Sequence, residues 1–111
     1  MSEKVIYLLV RVDLKMGVGK MVAQAGHAVQ ELINKCQQKT LRKTICPKIS
    51  LKINLQTMKD VEQLCIEKCV PYHIVIDAGR TQIPENTPTV LGIGPISKGL
   101  VNSIVSDLKL L

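Results

Sequence analysis

Short apolar runs alternate with longer amphipathic segments along most of this chain, and that alternation restricts its fold more than any other feature. The first run, from Val5 to Val12, is rich in β-branched residues and precedes Asp13 and a glycine-containing loop, which predicts a buried strand. From Lys20 to about Lys39, apolar residues fill one broad arc of a helical wheel, which predicts a helix packed on a sheet. A separate polar stripe on this helix consists of Lys20, Gln24, His27 and Glu31.

The remaining segments extend the same pattern. They predict strands at 49–53, 72–76 and 89–93, and helices at 57–68 and 97–108. Gly94-Pro95 is expected to stop the last strand. The resulting order predicts a three-layer α/β domain whose two strand-helix-strand crossovers give parallel neighbours. At 111 residues, the chain has room for a single domain over 1–111.

The charge balance favours a polyanionic partner. Lys and Arg number 15 against nine Asp and Glu, a net charge of +6. The Lys35 to Lys52 tract is the most basic segment, and it is either a solvated loop or a phosphate-contacting surface. The only aromatic residues are Tyr7 and Tyr72, so a base-stacking platform is excluded and an RNA would be recognised by backbone and shape.

Other compositional features point to a cytoplasmic protein with no membrane partner. The early apolar run Val5 to Val10 ends at Arg11, well short of the roughly 20 residues that a membrane-spanning helix needs. None of the four cysteines forms a C-x-x-C pair, so free thiols are expected. A mean hydropathy of +0.18 suggests an apolar surface used in self-association.

The glycine loop before the first helix fits no nucleotide-binding motif. Gly17 and Gly19 are separated by one residue where Walker A needs four, and Val22 replaces the third glycine of the dinucleotide fingerprint. A glycine loop at a helix N-terminus nevertheless exposes backbone N–H groups that favour an anion or a developing oxyanion. Lys20 would add a full charge there; the alternative is a tight turn with a solvated lysine.

Two further candidate sites are disfavoured. Cys65, Cys69 and His73 have a superficial metal-ligand spacing, but no second ligand pair is present, and packed thiols explain the cysteines better. No G-x-S-x-G motif appears, and Ser97 has no evident base beside it.

Asp77 follows a fully apolar strand, which places it at the carboxyl end of the sheet, where open α/β folds bind ligands. It either caps a turn or contributes to a site. Together with His27 and Lys20 it would supply a base, an orienting carboxylate and a cation, which are the components of a water-activating esterase.

Four blocks of sequence resemble one known family in order. They are DLKMGVGK at 13–20, AQAGHA at 23–28, DAGRTQI at 77–83 and TVLGIGP at 89–95. The chain is similar in these blocks to the archaeal and eukaryotic type of peptidyl-tRNA hydrolase, the second family of that activity. It departs from the family at Val18, where a further basic residue is usual.

The resemblance implies a homodimer with a four-stranded mixed sheet between helical layers. It also implies hydrolysis of the ester that joins a peptide to tRNA, without a metal or organic cofactor. The family's catalytic positions fall on Lys20, Asp77, Thr81 and Thr89. His27 lies close to this catalytic group, and the substrate-binding candidates are Lys15, Gly19, Gln24 and Arg80.

Direct attack by water is the mechanism expected from these residues. His27 or Asp77 would remove the proton, and Lys20 with nearby N–H groups would stabilise the oxyanion. The hydroxyls of Thr81 and Thr89 would position water or substrate, or satisfy strand-end backbone groups instead. A non-catalytic RNA-binding module and an esterase for another small acylated substrate are the alternatives.

Overall fold

The structure is a computed structural model that describes residues 3–78, 84 and 86–111, except for the side chain of Leu41. It contains four strands and four helices. The strands are β1 (Lys4–Arg11), β2 (Lys48–Ile53), β3 (Tyr72–Ile76) and β4 (Pro88–Ser97). The helices are α1 (Val18–Lys35), α2 (Lys39–Lys43), α3 (Leu55–Glu67) and α4 (Lys98–Val105).

The four strands form one mixed sheet in the order β2-β1-β4-β3. Strands β1 and β2 are parallel, whereas β4 runs antiparallel to both of its neighbours, β1 and β3. The expectation of parallel neighbours therefore holds for the first crossover only. The second crossover carries the chain from one edge of the sheet to the other, because β4 occupies the position between β1 and β3.

Helices cover both faces of the sheet, so the predicted three-layer α/β/α architecture with a four-stranded mixed sheet is confirmed. Alternate side chains of β1 point to opposite faces. On one face Val5 and Leu9 join the core formed with α3 and α4. On the other, Ile6 and Val10 pack beneath α1.

Helix α1 begins and ends earlier than the sequence pattern predicts. It runs from Val18 to Lys35 instead of from Lys20 to about Lys39, and Cys36 adopts an extended backbone that ends it. After Leu32 the next positions on the buried arc are Lys35 and Lys39, so further turns would bury no apolar surface. Residues 39–43 form the separate helix α2, with basic residues in its last turn.

Strand β4 continues through Gly94-Pro95, so the prediction that this dipeptide stops the strand was wrong. Gly94 has φ +116° and a cis bond to Pro95, and its N–H donates to the carbonyl of Pro71 at 2.9 Å. A side chain is excluded at Gly94, because a Cβ there would lie 2.5 Å from the Val5 carbonyl oxygen. Pairing with β1 is irregular at this point and resumes where Val5 faces Ile96.

The outer edge of β2 is covered by residues 109–111. The N–H of Lys52 donates to the carbonyl of Lys109 at 2.8 Å, and the N–H of Leu111 donates to the carbonyl of Ser50 at 3.0 Å. Leu51 faces Leu110 in an antiparallel bridge. Of the helices described, none is long and apolar enough to cross a membrane.

Candidate active site

One end of the sheet brings together the segments that carry the predicted site. Strands β1 and β3 end there, and β4 begins there, since Ile76 at the end of β3 faces Pro88 at the start of β4. The loop at 12–17 leads from β1 to the first turn of α1. This is the carboxyl end of the parallel strands, where the sequence placed Asp77.

Lys20 and Asp77 meet at this end of the sheet. Lys20 lies in the first turn of α1, and its Nζ forms an ion pair with Oδ1 of Asp77. Asp77 is 5% exposed, and the Lys20 side chain is 13% exposed. The backbone of Asp77 is also held, because its N–H donates to the Thr87 carbonyl at 2.9 Å and its carbonyl accepts from Asn86 at 3.0 Å. The pair therefore joins the start of α1 to the loop between β3 and β4.

The start of α1 offers backbone donors beside this pair. Gly17 is the N-cap with an extended backbone, and the first helical hydrogen bond runs from the Met21 N–H to the Gly17 carbonyl at 3.0 Å. The N–H groups of the first turn, including that of Gly19, have no carbonyl a turn earlier in the helix to bind. Gly19 is exposed with open space around it. The positive end of the helix dipole therefore lies at the Lys20–Asp77 pair.

Gln24 and Thr89 form a buried polar chain one helical turn further along α1. The Nε2 of Gln24 donates to the Thr89 hydroxyl at 2.9 Å, and that hydroxyl donates to the Val75 carbonyl at 3.2 Å. Gln24 is 4% exposed and Thr89 is completely buried. Both residues were predicted for the site, but nothing in the sequence indicated that they bind each other, because that contact depends on β4 lying under α1.

Arg11 is a buried charge at the site that sequence reasoning did not identify. Its Nε and Nη2 donate to the two carboxylate oxygens of Asp13 at 3.2 and 2.7 Å, and Nη1 donates to the Pro88 carbonyl at 2.9 Å. The hydrogen bond from Arg11 is the main cause that lowers the pKa of Asp13. Arg11 thus holds the loop at 12–17 against the start of β4. A charged residue ending an apolar strand was the only sequence indication.

Two of the other predicted site residues, His27 and Lys15, are exposed. His27 is exposed on α1, about 10 Å along the helix axis from Lys20, and in the described part of the chain no hydrogen bond joins it to Lys20 or Asp77. Lys15 is exposed in the loop at 12–17, with φ 54°. Arg80 and Thr81 lie outside the described residues.

The residues with metal-like spacing are dispersed. Cys65 is buried, and burial raises the pKa of its thiol to about 11. Cys69 is exposed beyond the end of α3, so it is not packed on the helix as expected, and His73 contacts Lys35 on α1. All four cysteines are free. Within residues 3–78, 84 and 86–111, no three His, Cys, Asp or Glu side chains are grouped so that they could hold a metal ion.

Fold and site together define an α/β domain with a lysine–aspartate pair at the carboxyl end of its sheet, and comparison with known proteins identifies the family. Residues 4–111 match the family model described as peptidyl-tRNA hydrolase PTH2, and the chain belongs to this family.

Several archaeal proteins named peptidyl-tRNA hydrolase are similar to the chain over nearly their full length. The protein from Sulfurisphaera tokodaii is 38% identical, with 100% of both chains covered. The one from Methanothermobacter thermautotrophicus is also 38% identical, over 94% of this chain and 96% of its own. A solved structure of a protein of unknown function from Agrobacterium tumefaciens has a TM-score of 0.72 at 14% identity, covering 100% of this chain and 99% of its own, which supports the fold alone.

Proposed function

We propose that this chain hydrolyses the ester bond of peptidyl-tRNA, releasing the peptide and free tRNA for reuse in translation. The observation that carries the proposal is the partly buried Lys20–Asp77 pair beside the N–H groups of the first turn of α1. A cation and backbone donors at one point can stabilise the negative charge that develops on an ester carbonyl oxygen. Membership of the family supplies the substrate.

The proposed reaction is direct attack by water on the ester carbonyl carbon. Asp77 orients the water and accepts its proton, while Lys20 and the first-turn N–H groups stabilise the oxyanion. Collapse of the tetrahedral intermediate breaks the bond to the ribose oxygen, which leaves as a hydroxyl by taking the proton that Asp77 accepted from water, so that Asp77 returns to its carboxylate form. Asp77 is favoured over His27 as the base because Asp77 contacts Lys20, whereas His27 is exposed further along α1.

The remaining site residues take supporting roles. Thr89 is assigned to positioning, since its hydroxyl is completely buried and engaged by Gln24 and Val75. Thr81 is assigned to the water or the peptide carbonyl. Lys15 and Arg80 are assigned to the phosphates near the acceptor end, and Gly19 to the oxyanion through its N–H. The sequence also supports a cytoplasmic homodimer.

The test is cleavage of N-acetylaminoacyl-tRNA in the presence of a chelator. Lys20→Ala and Asp77→Asn are each expected to lower kcat by about 100-fold to 1000-fold, the usual effect of losing an oxyanion donor or its equivalent, with little change in tRNA affinity. Lys59→Ala and Asp60→Asn, two exposed neighbours on α3, are matched controls. Near-normal turnover in either site variant would refute the assignment. Binding without any turnover by the unmodified chain would instead identify an RNA-binding module.

A further inference from the structure

The hydrogen bonds around Thr89 fix the orientation of the Gln24 amide. The Val75 carbonyl can only accept, so the single hydroxyl proton of Thr89 is used in the bond to Val75. The Thr89 oxygen must then accept from Gln24, which requires the NH₂ group and not the carbonyl of that amide to face it. The Gln24 Oε1 is therefore directed away from Thr89 as a hydrogen-bond acceptor.

This acceptor is not fully enclosed by the protein. In the part of the chain that is described, the bond from Nε2 to Thr89 is the only hydrogen bond of the Gln24 side chain. No buried side-chain oxygen or nitrogen there lacks a partner, so Oε1 keeps a small accessible area. Gln24 follows Lys20 by one helical turn on the same polar stripe, about 6 Å along the axis.

The substrate carries a complementary group close to the carbon that water attacks. The α-nitrogen of the esterified residue lies two bonds from the carbonyl carbon that water attacks. In peptidyl-tRNA this nitrogen is a neutral amide with one N–H, whereas in free aminoacyl-tRNA it is an ammonium. Asp77 is already paired with Lys20, so Gln24 offers a neutral acceptor while Lys20 repels a second cation.

We infer that Gln24 is a specificity-determining residue whose Oε1 accepts the α-amide N–H of the peptidyl group, with Thr89 as the positioning residue that fixes the amide. The inference rests on the proposed function. It predicts preference for a blocked over a free amine through hydrogen bonding and charge, without a pocket for any particular peptide side chain.

The unmodified chain can be tested with substrates that differ by one atom. N-acetylalanyl-tRNA carries the N–H, and O-acetyllactyl-tRNA has an ester oxygen in its place. Each kcat/KM is divided by the spontaneous hydrolysis rate of the same ester to remove differences in reactivity. The lactyl substrate is expected to be about 10-fold to 100-fold poorer, because an acceptor then faces Oε1. Equal corrected values would overturn the inference.

Variants at position 24 test whether Gln24 causes the difference in kcat/KM between these two substrates. In Gln24→Met the N–H substrate is expected to lose its advantage over the lactyl substrate. In Gln24→Glu cleavage of alanyl-tRNA relative to N-acetylalanyl-tRNA is expected to rise at least about 10-fold, because a carboxylate attracts the ammonium. Gln30→Glu, an exposed position on the same helix, adds the same charge as a control and should leave both ratios unchanged.

The role of Thr89 is tested by the ratio of kcat/KM for the N–H substrate to kcat/KM for the lactyl substrate. Thr89→Val removes the hydroxyl and should abolish the preference for the N–H substrate, whereas Thr89→Ser should retain it. A loss of stability alone would lower both substrates together and leave the ratio intact. If the unmodified chain cleaves neither acylated substrate, the proposed function fails; if it cleaves both equally, only the role of Gln24 fails. Should the variants not fold, the substrate comparison with the unmodified chain still decides.

Discussion

The surroundings of His73, including Lys35, lower the pKa of its side chain. The Nζ of Lys35 lies 2.6 Å from Nδ1 of His73, on the side of α1 that faces β3. Burial of the imidazole, followed by the nearby charge of Lys35, lowers the pKa of His73 below its ordinary value of 6.5, while Glu31 acts in the opposite direction. The folded chain therefore favours neutral His73.

This shift predicts that stability decreases as the solution is acidified. Because the pKa of His73 is lower in the folded chain, the unfolded chain binds its proton first as the pH falls through 6.5. Urea unfolding from about pH 7.5 to pH 5 should show a decline that is smaller in His73→Gln. His27→Gln is the control, since His27 is exposed on α1. An identical decline in all three proteins would contradict the shift.

The site residues differ in how far the sequence revealed them. Lys20 and Asp77 were predicted because each stands directly beside the predicted end of an element, Lys20 after a glycine loop and Asp77 after an apolar strand. Arg11 and the Gln24–Thr89 contact were not, since both depend on the start of β4 lying between β1 and β3. An antiparallel strand inserted there brings residues that are distant in sequence into contact, and no local sequence pattern indicates that contact.

At the level of elements, helix α1 can approach strand β4 closely because position 92 of β4 is a glycine, which has no side chain. A Cβ on Gly92 would lie 2.8 Å from Cδ1 of Leu32 and 3.2 Å from Cβ of Ala28. Both contacts are on the buried face of α1. The helix that carries Lys20 and Gln24 therefore packs directly on the middle of β4.

Gly92→Ala is expected to destabilise the chain by about 1–3 kcal/mol through overpacking. Gly99→Ala is the matched control, because nothing lies within 4 Å of a Cβ there and alanine favours helix α4 by up to about 1 kcal/mol. Denaturant midpoints measured on both variants test the contrast. A Gly92→Ala midpoint equal to that of the parent would show that α1 shifts freely over β4.

The type of each longer element was predictable, whereas the ends of several elements were not. The four predicted strands and the three predicted helices are all present near their predicted positions. The extension of β4 past Gly94-Pro95 required a glycine with positive φ and a local irregularity in pairing, which are tertiary features. Helix α2 has too few apolar residues to be distinguished from a basic loop.

For the whole molecule, one cluster of positive charge lies away from the Lys20–Asp77 pair. Helix α2 follows the end of α1 opposite Lys20, and its exposed basic residues are Lys39, Arg42 and Lys43. The 18 residues of α1 span about 27 Å, so a tRNA whose acceptor end reaches Lys20 could also contact α2 through phosphates further along.

Replacing these three residues with alanine is expected to weaken tRNA binding and to flatten its salt dependence. Each lost phosphate contact removes roughly 0.7–0.9 from the slope of log affinity against log salt, so the slope should fall in magnitude by about 2 to 3. Binding titrations at several salt concentrations provide the measurement. The control replaces Lys59, Lys68 and Lys98, three exposed residues of the α3 and α4 layer. Equal slopes in the two triple variants would exclude α2 from the interface.

The covered edge of β2 limits how copies of this chain can join through their sheets. Residues 109–111 occupy that edge, and among the described residues β3 has β4 as its only strand neighbour. Joining β3 of one molecule to β3 of another leaves no further edge for a third, so such growth stops at two. A sheet with both edges open would permit indefinite end-to-end polymerisation. Backbone pairing of residues 109–111 with β2 therefore removes one of the two sheet edges through which copies of the chain could add.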